Sequence, residues 1–500
     1  MRRASLVVRL VIVMLVMTSI SPPEVRAARL PAVPATVRVN VTPYGINYTI
    51  LASTGTVVAK LANGTVLYKG FQRLVARTQV RRAEGVLVGL PPKPEDLTPD
   101  ERMARRQQLR EARNAELETR GNPAKIVTIP FEISLLRTPE DALGQPLLSE
   151  QKAVPVFLST DDGVLTVNGR GYRGTFEITT DDDGGPIVVN TVETGVYLAS
   201  VVGSEEPSTW EAEALAAQAI AARTYLLTHL GRHDHYDIEG DVRDQEYDGV
   251  GNEVRSTLRA VDRTAGIVVT YRGAPISALY SANAGGVTED SENVFANALP
   301  YLRSVPSPSD EIAKNSSFGK SSWEWDREFT APLLAEFMRV RGLDVGTPTK
   351  IEVTSKSATG RPILTRVTGT LGSKEIRMET ARYYFGLKSN LFNPVFLAPQ
   401  QEWVSPRDTN RLRDMEILGA TKLRANYDFT FDDTGKRKGI VATELLYQLP
   451  ARFDFVGRGF GHSVGMSQWG AQGMALGGAN YEQILKHYYT GIELTTVGGP

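Results

Sequence analysis

Between Val201 and Leu227 the chain reads VVGSEEPSTWEAEALAAQAIAARTYLL, and no other stretch limits the fold as much. It opens as an apolar, strand-like run and continues as a long helix. Leu215, Ala219, Ala222 and Leu226 recur at three- and four-residue steps, the spacing of a buried helical stripe. Pro207 closes the preceding loop, Ser208 is predicted as the N-cap, and Glu211 completes a capping box. Glu205 and Glu206 are thereby predicted on a rigid corner just ahead of the helix. A carboxylate held on such a corner suits acid/base chemistry. Acidic residues also gather at helix N-termini because of the macrodipole alone, and this stretch by itself leaves both readings open.

Five hundred residues are ample for a large core and more than one domain. Basic and acidic residues nearly cancel, 56 against 57, so the charge gives no reason to expect a nucleic-acid partner. The absence of cysteine excludes disulfides, thiolate nucleophiles and thiolate metal sites together. At the N-terminus, Arg2 and Arg3, the apolar run Leu10 to Met17 and Val25-Arg26-Ala27 have the order of a secretory signal, with cleavage expected after Ala27. The apolar run is too short to span a bilayer comfortably, and no later segment is predicted to cross one. The expected location is secreted or periplasmic, in the cell envelope.

The expected fold class is α+β. A mixed main domain carries a long helix after the glutamate corner and a β-rich subdomain at about 327–395, and a small β module precedes it. Residues 28–90 are predicted as that module, from the β-branched runs TVRVNV, INYTILA, TVVAKLA and TVLYKGF and the turns between them. Residues 91–123 are predicted as a charged helical linker or insertion, and 124–500 as the main domain. PIVVNTVETGVYLASVV is read as strand, VRSTLRAVDRTAG and PLLAEFMRVRG as helices, and residues 400–440 as polar and irregular, with an insertion near Arg407 to Asn426.

Two glycine-rich stretches carry side chains suited to a ligand. Ala284 to Glu289, AGGVTE, has almost no side-chain bulk, which permits a tight turn or a close approach. In GRGFGHSVGMSQWGAQGMA, His462, Gln468 and Trp469 on a glycine-rich turn fit a polar ligand with flat apolar faces, such as a sugar. His233, His235, Glu239 and Asp244 could form a nitrogen/oxygen metal site, but a loop of that composition is ordinarily a hydrated one, and no metal is expected.

Taken in order, YRG (Tyr172 to Gly174), VETGVYLASVVGSEEP, EALAAQAIAARTY, QEYDG, YSANAGGVTED, PYLRSV, GRPI and GRGFGHSVGMSQWGAQGMA resemble the stage II sporulation protein D family, which also includes amidase-enhancer proteins. The likeness runs from about Val154 to Leu494. It implies a peptidoglycan lytic transglycosylase, which cleaves the N-acetylmuramic acid–N-acetylglucosamine bond of glycan strands stripped of stem peptides and leaves a 1,6-anhydro end. The family's acid is the glutamate of a sequence like SEMP. Here the motif is Ser204-Glu205-Glu206-Pro207, so Glu205 takes the catalytic position and Glu206 stands where methionine is usual.

The resemblance implies no cofactor. The implied partners are peptidoglycan glycan strands and, from the enhancer branch, a cell-wall amidase. This chain lacks the zinc-binding cysteine pair that some members carry before QxYxG, and it has Ser281 where many have histidine. The expected substrate contacts are Tyr280, Asn283, the Gly285–Gly286 backbone, His462 and Gln468, with Trp469 either stacking on a sugar or plugging the core. Gln218, Arg223 and Tyr225 are expected to support the long helix. Glu205 would protonate the leaving oxygen and then act as base towards the tethered muramoyl 6-hydroxyl. That role needs apolar surroundings, which Trp210 and the neighbouring run could supply. Two other readings are a non-catalytic enhancer and a hydrolase using Glu289 as a second acid.

Overall fold

The computed structural model describes residues 30–42, 48–53, 55–70, 73–82, 126–136, 145–148, 155–161, 163–180, 186–295 and 297–498. The predicted signal (1–27) and charged linker or insertion (91–123) lie outside them. The fold is mixed α+β, as the alternation of strand and helix patterns predicts. The chain divides into two compact units. One comprises Pro31–Trp210, Ala222–Val268 and Thr496–Pro500; the other contains Glu211–Ala221 and Val269–Thr495.

The first unit is built on two sheets. In the seven-stranded one, Ile238–Glu239, Thr36–Asn40, Pro186–Glu193, Thr175–Thr180, Val156–Thr160, Val57–Leu61 and Val66–Gly70 lie side by side. Thr36–Asn40 runs antiparallel to Pro186–Glu193, with Val37 opposite Val192, and parallel to Ile238–Glu239. Strands from the predicted N-terminal module thus share a sheet with strands far along the chain, Val57 opposite Thr160 and Thr36 opposite Glu193, because a strand with an open edge pairs wherever the register suits. A six-stranded antiparallel sheet joins Tyr48–Ala52 to Arg73–Arg82 and Val164–Val167.

The strand expected through Val202 ends at Glu193. Thr194–Glu205 is a helix, α1. Every position from Tyr197 to Val202 is buried, so no polar face interrupts the pattern, and a helix enclosed on all sides shows no 3.6-residue period. Gly203 lets it approach its neighbour: a Cβ there would stand 2.6 Å from the Asn252 carbonyl oxygen. The long helix, α2, spans Ala212–His229. It starts four residues beyond the predicted cap, and Ser208 lies in the intervening turn, where its carbonyl accepts the Ser256 hydroxyl at 2.7 Å. Its predicted stripe widens to the whole circumference, since 214–227 are all buried. Helix α3, Arg255–Arg263, follows as the sequence predicts.

In the second unit, three antiparallel strands, Glu324–Thr330, Arg452–Arg458 and Leu391–Leu397, form a sheet with Arg452–Arg458 at its centre. The hairpin strands Pro348–Lys356, Pro362–Gly369 and Gly372–Arg377 form another. Helices Ala331–Val340 and Met378–Phe385 close a core of Phe329, Leu334, Met338, Val367, Phe385, Phe392, Phe453 and Phe455. Residues 400–440, expected to be irregular, contain the helix Thr409–Ile417 and strands of a third sheet, Gln400–Val404, Arg437–Leu449 and Thr421–Phe431, the second of which runs on past them.

Candidate functional site

Glu205 is the last residue of α1, and Glu206, in extended conformation, is its C-cap. Glu205 therefore lies at the negative end of a helix, and the field acting on it has the opposite sign to that expected ahead of a helix N-terminus. Its side chain is half-buried, and Oε1 accepts the Glu246 backbone N–H at 3.0 Å. That amide belongs to the QEYDG motif, which is laced to α1 residue by residue. The Tyr197 hydroxyl donates to Gln245 Oε1 at 3.0 Å, and Gln245 Nε2 donates to the Ala222 carbonyl. Tyr247 donates to Asn190 at 2.9 Å, and the Ser204 hydroxyl accepts from the Asp248 N–H and the Asn252 amide. SEEP and QEYDG are one substructure, which explains why both stretches stand out in sequence. Ser204 and the Glu246 amide are the polar groups of this corner that sequence reasoning missed; only the bonded positions reveal them.

Glu206 differs sharply from its neighbour. It is 1 % exposed, and neither carboxylate oxygen has a hydrogen-bond partner. Burial raises its pKa well above 4.5, with the charge of Glu205 adding to the effect. A buried carboxyl without partners is held neutral. Burial also raises Glu246, with Asp248 and Asp241 pushing the same way and Arg170 opposing. The first unit thus presents Glu205, anchored by a backbone amide, beside two carboxyls whose burial resists ionisation.

Around this corner, Arg223 is buried and donates to the carbonyls of Ile267 at 3.1 Å and Val261 at 3.2 Å, tying α2 to the end of α3. Tyr225 donates to Asp244 at 2.9 Å and stacks on His229. Asp244 also accepts the Glu239 N–H, and Glu239 accepts the Tyr236 hydroxyl at 2.7 Å and pairs with Arg243. His233 stacks on Tyr236. Among the described residues no cluster of three or more His, Asp or Glu side chains has metal-binding geometry.

In the second unit the AGGVTE loop is braced from all sides. Gly285 has φ +71°, and a Cβ there would lie 3.2 Å from the Arg458 backbone. Its N–H donates to Asn283 Oδ1 at 2.8 Å, and that of Gly286 to Asp310 Oδ2 at 3.0 Å. Both amides, expected to meet a sugar, are turned inward. Asn283 is fully buried, with Nδ2 on the Asp310 carbonyl. Arg361, of the GRPI motif, is enclosed and donates to the carbonyls of Ala284 and Val287, to Thr359 and to Asn390. Glu289 is 1 % exposed and takes hydrogen bonds from Ser357, Thr359 and Asn293. A carboxylate so committed anchors the loop and leaves no open face for a second acid.

Tyr280 is half-buried on a two-residue strand paired with Met466. His462 Nδ1 accepts the Val464 N–H at 3.0 Å. Loss of water around the ring pulls its pKa down to about 3, with Arg382 adding and a hydrogen bond to the Tyr280 backbone opposing. Gln468 begins the helix Gln468–Leu476 and is 4 % exposed. Trp469 is buried against Phe318, and a Cβ on Gly319 would collide with its ring, so it fills the core. Gln218 is fully enclosed, with both amide atoms lacking a partner. His462 is expected to stay neutral from pH 5 to 8, and its ring resonances in NMR are expected not to titrate. A midpoint between pH 6 and 7 would contradict this expectation.

Residues 182–271 match the model of the Stage II sporulation protein family, SpoIID. That segment holds the strand Pro186–Glu193 of the seven-stranded sheet, α1, α2, the QEYDG loop and α3. The chain is 28% identical to the Amidase enhancer of Bacillus subtilis (strain 168) over 320 residues, 60% of this chain and 40% of that protein. It is 27% identical to Stage II sporulation protein D of the same organism over 316 residues, 60% of this chain and 73% of that one. An uncharacterized protein of Brachyspira hyodysenteriae (strain ATCC 49526 / WA1) is 27% identical over 344 residues, 68% of this chain and 76% of its own length. These matches support the SpoIID/amidase-enhancer family as the one this chain is similar to.

Proposed function

We propose that the protein is a peptidoglycan lytic transglycosylase of the cell envelope, with Glu205 as its single acid/base. The reading is carried by the corner at the end of α1, where one half-buried carboxylate is oriented by the Glu246 N–H and flanked by a buried acid. The reaction needs a proton for the leaving glycosidic oxygen as the bond to the muramoyl anomeric carbon breaks. The positive charge developing at that carbon is met by the substrate's own 6-hydroxyl, which gives its proton to the carboxylate as the 1,6-anhydro ring closes. Because the nucleophile is tethered, one carboxyl serves both steps where a hydrolase needs two. The commitment of Glu289 to the loop supports the one-acid mechanism over the two-acid one.

The protein incubated with peptide-free glycan strands is expected to release 1,6-anhydro products, identified by mass spectrometry. Glu205→Gln is expected to lower their yield at least about a thousandfold while melting as the wild type does. The likeness to a protein named for amidase enhancement favours a second reading, a non-catalytic partner of a cell-wall amidase. In that case no anhydro product forms, and Glu205→Gln still stimulates the amidase. Reducing ends in place of anhydro ends would identify a hydrolase.

A further inference from the structure

We propose that the protein self-associates through the strand Thr421–Phe431, two copies pairing antiparallel about Asn426 to join their three-stranded sheets into one of six. The strand is an edge: in the order Gln400–Val404, Arg437–Leu449, Thr421–Phe431 it comes last, and no other described strand pairs with its outer side. All but one of its residues are exposed. A long open edge is a template for another strand, and a solitary domain normally blunts or covers it.

The faces of this sheet say the same. Near its base, the helix Thr409–Ile417 covers one face, where Val404, Met415 and Leu449 pack with Leu412 and Tyr447. Beyond the helix the ribbon continues uncovered. Tyr427, Phe429 and Phe431 alternate onto one face, with Ile440 directly opposite Phe429. These four are 55–60% exposed, which is more contiguous apolar surface than a projecting two-stranded ribbon leaves in water without a partner.

The strand is complementary to itself. Antiparallel pairing about Asn426 sets Arg424 of each copy opposite Asp428 of the other, so two opposite-charge pairs form across the seam. It also sets Ala425 opposite Tyr427, and the small side chain leaves room for the two Tyr427 rings to meet diagonally. Arg424 now lies over the Trp403 ring at 5.1 Å, while Asp428 is exposed. The turn at the end of the ribbon carries both signs, Asp432 and Asp433 followed by Lys436, Arg437 and Lys438, with Asp432 fixed by the Thr434 and Lys436 N–H groups, so its charge does not single out a lipid surface.

Sedimentation equilibrium of the full chain tests this. The wild type is expected to approach twice the monomer mass at about 100 µM. Asp428→Arg, which faces arginine with arginine twice, is expected to weaken association at least about tenfold. The double swap Arg424→Asp with Asp428→Arg is expected to restore it, an outcome that a merely damaged ribbon would not produce. A wild type that stays monomeric overturns the proposal. So does a dimer unaffected by Asp428→Arg, or a monomer that sediments with vesicles of anionic lipid.

Discussion

Arg361→Met is expected to lower the thermal midpoint of the Val269–Thr495 unit by about 10 °C. The guanidinium is fully enclosed and serves the carbonyls of Ala284 and Val287, Thr359 and Asn390, with Glu289 at 4.0 Å. Burial lowers its pKa to about 10, so it remains protonated at neutral pH. Methionine fills much of the volume but strands two carbonyls and leaves Glu289 without its counter-charge. Removing one partner of a buried charged network costs about 3–5 kcal/mol, and about 2–4 °C accompanies each kcal/mol in a unit of this size. Arg361→Lys keeps the charge but offers one point donor in place of a planar fork, so its loss is expected to be intermediate. Amide exchange across 284–290 should accelerate in both variants. A melt of Arg361→Met within about 2 °C of the wild type would show that the loop is held by other means.

Glu206→Met is expected to stabilise the protein, and increasingly so as pH rises. The carboxyl has no hydrogen-bond partner, and burial raises its folded pKa well above the ordinary 4.5. An acid whose folded pKa exceeds its unfolded one contributes full stability below the unfolded value. That stability is lost as pH rises towards the folded value, because the unfolded chain releases the proton first. The loss is about 1.4 kcal/mol for each pH unit above the ordinary value. Methionine has no proton to hold, so the gap between variant and wild type should widen from pH 5 to pH 7. Glu239, raised to about 7 mainly by burial, slopes the same way in both proteins and cancels in the comparison. Urea midpoints at three pH values measure this. Parallel pH profiles would show that Glu206 is not buried as an acid.

The motifs were legible because each is a local chemical pattern. Glycine stands where the loop turns with positive φ at Gly285, and proline stands at the corner after Glu206. The helices 255–263 and 331–340 were readable for a similar reason: each has one wet face, so its apolar residues keep the helical period. Helix α1 was not readable, since its middle, Tyr197 to Val202, has no wet face, and β-branched Val201 and Val202 suit a strand equally well. The strands of 400–449 looked polar because both faces of the ribbon are open to solvent beyond the covering helix.

The sequence by itself determined the resemblance to a family, the mixed α+β class and the glutamate on which the proposed chemistry rests, since these depend on residue identity and order along the chain. Tertiary structure alone decided that Glu205 ends a helix, that its neighbour Glu206 is an enclosed neutral acid, and that Arg361 braces a loop some seventy residues away in the chain. Burial and partnership depend on contacts between distant segments. A carboxylate or guanidinium carries no mark in the sequence of whether water or another part of the chain will surround it.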